Sequence, residues 1–522
     1  MPKDHAAPSD RIVIIGAGIA GLAAALRLSG FARQTGRELL VLERHATPGG
    51  KMRTLPSQAG PVDAGPTVLT MRHVFDDLFA AADARLEDHV TLIPQDILAR
   101  HWWPDGSSLD VHADPDTSAA AIRAFAGPRA VREFEAFSKR AAQLYAAFDA
   151  PMMQAAEPSL SSLSAYVMRH PSLIAAMAPQ SSLAAMLARQ FSDPRLAQLF
   201  GRYATYVGGS PYLSPAILAL IWQAEAAGVW CVKGGMHRLA AAIAGLAKDR
   251  GVQFRYNAQI AQIATDKGQV NAVHLANGEV IPASTVIFNG DPRALATGAL
   301  GGDVSDVATV TRSTARSLSA QVWSFAAQPS GPDLAHHNVF FCADPRAEFA
   351  ALEKGAHPRD PTLYIGAEDR GQGTPPPQTE RFEIIANAPP TSGPTSTPIS
   401  TPEDFSACQT QTFHSLARFG LTFDTLPGPE ALTTPQGFNR LFPASTGSLY
   451  GQSPHGMMAA FQRPTARTQI KGLYLAGGGT HPGAGVPMAT LSARHAAAAI
   501  LSDLSSTSTS RQTVTPGGMS TA

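Results

Sequence analysis

The sequence predicts an α/β protein made of a discontinuous Rossmann-like lobe, a mixed-sheet substrate domain and a helical insertion. Three observations carry that expectation. The apolar run Ile12-Val13-Ile14-Ile15 leads into Gly16, Gly18 and Gly21 and an alanine-rich stretch. Near the other end, Leu473-Tyr474-Leu475 leads into Gly477-Gly478-Gly479-Thr480-His481-Pro482-Gly483 and a second alanine-rich stretch. Between them, strand-like and helix-like segments alternate along a chain of 522 residues, longer than a single hydrophobic core sustains.

The first unit reads as a buried parallel strand, a tight turn and a helix over Ile19 to Leu28. Such a unit aims unpaired backbone N–H groups and a helix N-terminus at a pyrophosphate. Gly16, Ala17, Gly18, Ile19, Ala20 and Gly21 are therefore candidate contacts. Gly16 permits the turn, Gly18 lets backbone approach the phosphates, and Gly21 lets the helix pack on the strand. A second apolar strand, Leu39 to Leu42, ends in Glu43 and Arg44. Glu43 stands about twenty residues beyond Gly21, the separation expected of a carboxylate that accepts hydrogen bonds from an adenosine ribose. Gly49-Gly50 then brings a second stretch of backbone to the dinucleotide. Lys51 and Arg53 behind it either make charge-assisted contacts to its oxygens or are ordinary surface charges.

The lobe is expected to comprise residues 10–71, 228–304 and 466–502. Its middle piece begins with Trp230 to Met236, continues into a helix ending near Arg250, and then holds four strands: Gly251 to Tyr256, Gln259 to Thr265, Val270 to Ala276 and Val286 to Asn289. Asn277-Gly278 is a hairpin signal. Residues 72–227 are mostly helical in pattern, with breaks at Pro151, Pro158, Pro171 and Pro211. Residues 305–465 mix loops with strand-like segments at Gln321 to Ala326, Asn338 to Cys342, Leu363 to Gly366 and Phe382 to Ala386, which suggests a sheet walling a substrate cavity. Ala388 to Pro402 reads as an exposed loop, and 503–522 as a disordered Ser/Thr-rich tail.

Hydrophobic residues at 44% and charged residues at 16% exclude a disordered chain. Lys+Arg 41 balances Asp+Glu 41, which argues against a nucleic-acid partner. Cys231, Cys342 and Cys408 are too scattered for a disulfide framework or metal site and favour a reducing compartment. His336-His337 cannot present both rings to one face of a strand, and no metal constellation is expected. No apolar run approaches the roughly 20 residues that span a bilayer. With the first strand at Arg11, no signal peptide is expected, so a cytoplasmic location follows, with peripheral membrane attachment.

Beyond these features the chain resembles the carotenoid desaturases of the phytoene desaturase type. The resemblance rests on Val62-Asp63-Ala64-Gly65-Pro66, Tyr206-Val207-Gly208-Gly209-Ser210-Pro211, Gly234-Gly235-Met236, Asn289-Gly290-Asp291-Pro292, Phe442-Pro443 and Thr480-His481-Pro482-Gly483-Ala484-Gly485-Val486-Pro487. Gly290 stands where members often carry alanine. Thr67-Val68-Leu69-Thr70-Met71, Tyr450 to Met458 and Val486 to Ser492 are similar to the 1-hydroxycarotenoid 3,4-desaturase group within that family.

The resemblance implies non-covalent FAD and a carotenoid substrate. It adds Gly50, Lys51, Arg53, Pro66, Thr67, Ile260 (beside adenine), Gly477, Val486, Met488 and Ala489 to the cofactor contacts. The substrate site should be a long apolar tunnel. Trp222, Trp230, Trp323, Phe325, Phe340 and Phe341 are either its lining or ordinary core. His481 and His455 are candidate proton acceptors, each with an equally plain structural role. A membrane-facing patch is expected around residues 151 to 192, at Met152, Met153, Leu173, Ile174, Met177, Leu183, Met186 and Leu187, unless these are core. The electron acceptor is not legible. Phytoene desaturation or amine oxidation on the same scaffold, and a flavin-free lipid-binding escort protein, are the competing readings.

Overall fold

The computed structural model describes residues 10–391 and 401–512. A five-stranded sheet is assembled from distant pieces of chain in the order Leu473–Leu475, Thr285–Phe288, Ile12–Ile15, Leu39–Leu42, Gln253–Arg255. All its pairings are parallel, with Ile12 in register with both Thr285 and Leu39. Four of the strands are buried on both faces, as the continuous apolar runs require. The first helix spans Ile19–Thr35, a turn and more beyond the expected Leu28, and ends where Gly36 takes a left-handed conformation (φ 68°). Its alanines share a core with Ala493, Ala496 and Ala497 of the closing helix Val486–Gln512 and with Leu239 and Ile243 of the helix His237–Asp249. Small side chains let these three helices approach the sheet closely. A separate three-stranded antiparallel sheet, Ile260–Asp266, Gln269–Leu275 and Val280–Pro282, follows the hairpin signal.

The second large sheet has seven strands in the order Leu432–Thr433, Ser319–Ala327, Glu380–Ala388, Leu363–Ala367, His337–Phe340, Ile97–Trp102, Ser108–His112. The four strands read from residues 305–465 are present. The insertion differs from its expected helical character: Ile97–Trp102 and Ser108–His112 belong to this sheet, the former pairing in parallel with His337–Phe340. Leu92–Pro94 pairs with Trp230–Val232. The rest is helical. Its long helix Pro115–Phe148 is capped by Asp114 and kinked at Gly127-Pro128, and it packs on shorter helices through Phe134, Phe137, Leu199, Phe200 and Trp222.

Two further expectations are corrected. Leu173, Leu183, Met186 and Leu187 are buried in this helical core, because they form the inward stripe of short amphipathic helices, and Met152 and Met177 pack against it. Met153 packs against a small cluster around Met71 and Leu491. Of the eight residues expected on a membrane-facing patch only Ile174 is exposed. The closing helix continues to Gln512, so the first part of the expected tail is helical, and residues 513–522 lie outside the described residues. The loop expected over Ala388 to Pro402 is likewise described only at its two ends.

Candidate functional site

The glycine turn lies at the C-terminal end of the Ile12–Ile15 strand. Gly16 has a φ of +98°, and a Cβ on Gly21 would stand 2.0 Å from the Gly16 carbonyl oxygen, so the helix packs onto the turn only with glycine there. The helix begins at Ile19 with Gly18 as its N-cap and no side chain capping it. Ala20 is buried beneath it. The first N–H groups of this helix thus have no side-chain acceptor, as an anion site requires. Gly49 bridges to Gly18, and a Cβ on Gly50 would meet the Gly18 Cα at 3.0 Å, which brings the second glycine pair against the first.

Glu43 is 4% exposed, and its two carboxylate oxygens accept from the Ala17 N–H at 2.6 Å and the His45 N–H at 2.8 Å. It ties the glycine turn to the end of the neighbouring strand, a structural role the spacing alone did not disclose. A carboxylate has about four lone-pair sites, so capacity for a ribose hydroxyl remains. Ala258 N–H donates to the Glu43 carbonyl, which places the start of the Ile260 strand beside it; Ile260 is buried. Arg44 donates to the Leu441 carbonyl at 3.4 Å.

Lys51 and Arg53 are not surface charges. Lys51 Nζ donates to the Leu449 carbonyl and lies 5.5 Å from the Phe442 ring centroid. Burial pushes its pKa down to about 8 against the attraction of Asp291. Arg53 donates to Thr433 Oγ1 at 2.5 Å and is held down by burial, with Glu383 opposing. Around Lys51 stand two cations that sequence reading missed, Arg316 and Arg463. Arg316 pairs with Asp291. Arg463 donates to the Gly478 carbonyl at 2.6 Å and to those of Tyr450 and Gln452, and burial pushes it down to about 10. Three wholly or partly buried cations around one carboxylate leave positive charge unbalanced, which a phosphate-bearing ligand would neutralise. Asn289, two residues before Asp291, donates to the carbonyls of Gly16 and Gly18 and so joins this cluster to the glycine turn.

The C-terminal segment closes the same region. Gly477 N–H donates to Ser492 Oγ at 2.7 Å, and a Cβ on Gly477 would reach Asn289 Oδ1 at 3.0 Å. Val486 begins the closing helix, Ala489 is buried under its first turn, and Met488 packs against Met71, Val74 and Leu491. Pro66 and Thr67 lead from this region to the seven-stranded sheet, where Thr67 and the Tyr364 hydroxyl both lie against Gly366.

Both candidate histidines are engaged by backbone. His481 Nε2 lies 2.8 Å from the Ala155 carbonyl, and its ring stacks on His495. His455 Nε2 accepts from the Ser210 N–H at 3.0 Å. Burial lowers both pKa values. Each ring fastens a loop to the insertion. The aromatic candidates divide. Trp323, Phe325 and Phe340 pack against the helix Pro402–Ala417 on the outer side of the sheet, Phe341 and Trp222 lie in the helical core, and Trp230 packs on the nucleotide lobe. Among the described residues no cluster of His, Cys, Asp and Glu could hold a metal, and no helix is long and apolar enough to cross a membrane.

The model of the flavin containing amine oxidoreductase family matches residues 19–313 and 441–501. The hydroxyneurosporene desaturase of Cereibacter sphaeroides is 54% identical over 95% of this chain and 99% of its own length. That of Rhodobacter capsulatus is 50% identical over 94% and 98%, and that of Rubrivivax gelatinosus 44% identical over 98% and 97%. Among solved structures, cyclohexylamine oxidase from Brevibacterium oxydans superimposes with a TM-score of 0.55 at 17% identity, over 95% of this chain and 100% of its own, a likeness of fold.

Proposed function

The chain belongs to the flavin containing amine oxidoreductase family, and on that premise we propose that it is an FAD-dependent carotenoid desaturase that introduces a 3,4 double bond into 1-hydroxy- or 1-methoxy-carotenoids. The observation that carries the substrate class is end-to-end identity of 44% to 54% with three hydroxyneurosporene desaturases. FAD, when bound, supplies the two-electron acceptor for removing two hydrogens from adjacent saturated carbons. The glycine turn, the uncapped helix start and the surplus charge of Lys51, Arg316 and Arg463 suit its pyrophosphate, and Glu43 its ribose. The insertion and the seven-stranded sheet exclude water from the reacting carbons. Because His481 and His455 are held by backbone groups, neither is assigned the departing proton. Steady-state rates on 1-hydroxyneurosporene and neurosporene test the reading: the first should exceed the second by well over tenfold, since a site built to hydrogen-bond a hydroxyl rejects the analogue lacking it. Comparable rates, or rapid conversion of phytoene, would assign the chain to general desaturation.

A C40 hydrocarbon has to be taken from a bilayer, and peripheral attachment is part of the proposal. Of the large apolar side chains exposed on the insertion, Leu213 stands apart and Leu160, Tyr166, Met168 (72% exposed) and Ile174 group on the helices Leu160–Met168 and Pro171–Met177. That stretch carries Arg169 and His170 and no acidic residue, as an anionic lipid surface favours. A Leu160→Asp/Met168→Asp variant should be lost from the lipid fraction in liposome flotation; recovery equal to wild type would contradict this surface.

A further inference from the structure

We propose that His337, oriented by Tyr364, recognises the oxygen on carbon 1 of the substrate. The inference rests on the substrate class argued above and assigns the residue that selects it.

The argument begins with strand register. Val339 is opposite Tyr364 in the antiparallel partner strand and opposite His101 in the parallel one. Alternation along a strand therefore puts His337, Val339, Tyr364 and His101 on one face of the sheet. That face looks into the helical insertion, where Val339 and Phe341 share a core with Phe134, Leu199, Tyr203 and Trp222. Within this apolar interior, three buried nitrogens have no hydrogen-bond partner: His337 Nε2, His101 Nε2 and Arg202 Nε. Arg202 is already committed through its terminal nitrogens, to Tyr206 at 2.7 Å and to Glu225 at 3.3 Å, and Glu225 also accepts from Tyr203 and Tyr206. His101 lies under Phe341, with its Nδ1 at the Leu109 carbonyl.

His337 is different because its other nitrogen is held by a side-chain hydroxyl rather than by a backbone carbonyl. Nδ1 lies 2.6 Å from the Tyr364 hydroxyl. We assign the phenol proton to this bond, with Nδ1 as its acceptor. Burial, with His336 and Arg202 nearby, keeps the imidazole neutral. The remaining proton then resides on Nε2, an N–H donor with no acceptor, on a residue only 1% exposed. A buried donor of this kind matches a substrate oxygen in either form: a hydroxyl or a methoxy group accepts from it, whereas a lone acceptor would reject the methoxy group. Position agrees with chemistry. Carbon 1 is two bonds from the nearer reacting carbon, so its recognising group must stand beside the flavin. Thr67, which shares the space over Gly366 with the Tyr364 hydroxyl, belongs to the segment that runs from the glycine turns to the sheet.

The experiment compares flavin-loaded wild type, His337→Leu and Tyr364→Phe on 1-hydroxyneurosporene, its 1-methoxy counterpart and neurosporene. For His337→Leu, kcat/KM on both oxygenated substrates should fall by at least about 30-fold, with the rate on neurosporene changed less than about twofold. Tyr364→Phe keeps the imidazole but frees its tautomer, and a smaller loss of roughly 3- to 10-fold on the oxygenated substrates alone is expected. A His337→Leu enzyme with flavin bound and the wild-type preference intact overturns the proposal. If that variant loses flavin, Tyr364→Phe decides, an unchanged preference overturning it. Wild type without preference for the oxygenated substrates instead removes the substrate class itself, and this inference with it.

Discussion

The two faces of the seven-stranded sheet differ more than any other pair of surfaces in the molecule. On the outer face Trp323, Phe325, Phe340, Leu363, Ile365, Phe382 and Ile384 pack against Cys408, Phe413 and Leu416 of a single helix. Aromatic contacts run through it, Phe325 meeting Phe382, Phe413 and Phe423 at centroid distances of 5.3–5.9 Å. Its unpaired side-chain polar groups among the described residues are the indole N–H groups of Trp102 and Trp323 and the hydroxyl of Ser319 at the strand's start. The inner face carries His101, His337, Tyr364, Glu368, Glu383 and Ser324, and all but Tyr364 hold a buried polar atom with no hydrogen-bond partner. Both faces are equally hidden from solvent. A fold that needed only stability would have made both like the outer one, because an unpaired buried polar group costs about 1–3 kcal/mol. The polar inner face is the side turned toward the insertion and the nucleotide lobe, where a ligand can complete it.

The largest effect should come from the outer face. Phe325→Ala removes a ring packed on three others and should cost about 3–5 kcal/mol in unfolding free energy by denaturant titration. Discrimination between 1-hydroxyneurosporene and neurosporene should stay as in wild type. A large change in that ratio would show that the two faces are not separable.

Legibility from sequence follows the same division. The glycine turns, the Glu43 spacing and the strands of the nucleotide lobe were readable because backbone demands restrict residue type locally: a carbonyl 2.0 Å from a would-be Cβ admits only glycine. The inner face was not. Ser319–Ala327 reads Ser-Ala-Gln-Val-Trp-Ser-Phe-Ala-Ala and is buried on both sides nearly throughout, so no polar alternation marks which residues face the site. Residues 97–112 were read as part of a helical insertion although they form a local hairpin; what places that hairpin in the sheet is the pairing of Ile97–Trp102 with a strand more than two hundred residues away, which only the closed fold supplies. The cluster of Lys51, Asp291, Arg316 and Arg463 likewise draws on separate segments, each carrying a single unremarkable charge. His481 and His455 drew notice as histidines in conspicuous loops, while the two histidines with a free buried nitrogen, His101 and His337, lay in ordinary strands.

A smaller effect, with a definite sign, should come from pH. Burial and the neighbouring Asp63 push the Glu368 carboxyl up to about 8, against the pull of Arg381. Between the ordinary carboxylate range and about pH 8 the folded protein therefore holds a proton that the unfolded chain has released. Stability should fall as pH rises through that window and level off above it, by an amount of order 1–3 kcal/mol. Glu368→Gln keeps an oxygen to accept from the Asp63 N–H, a bond of 2.6 Å in the native protein, and removes the titration. Thermal unfolding of the variant between pH 5 and pH 8 should show a flatter profile than wild type. Parallel profiles would mean that the inner-face acids are satisfied by contacts like those of the surface.

The smallest effect gives the sharpest comparison, because it contrasts neighbours in one strand. Ser324 and Phe325 are consecutive and point to opposite faces; Ser324 is opposite Glu383 and Phe325 opposite Phe382. Ser324 is 1% exposed, and its hydroxyl has no partner. Ser324→Ala removes a polar atom that makes no hydrogen bond and leaves the methylene packing in place. Its stability should therefore lie within about 0.5 kcal/mol of wild type, on the stabilising side if the hydroxyl is desolvated without compensation. One residue further on, truncation of Phe325 should cost several times as much. A loss above about 1 kcal/mol for Ser324→Ala, measured without substrate, would mean that the serine already has a partner in the free protein. The inner face would then be a finished polar network, and its open hydrogen-bonding capacity could no longer be assigned to the substrate.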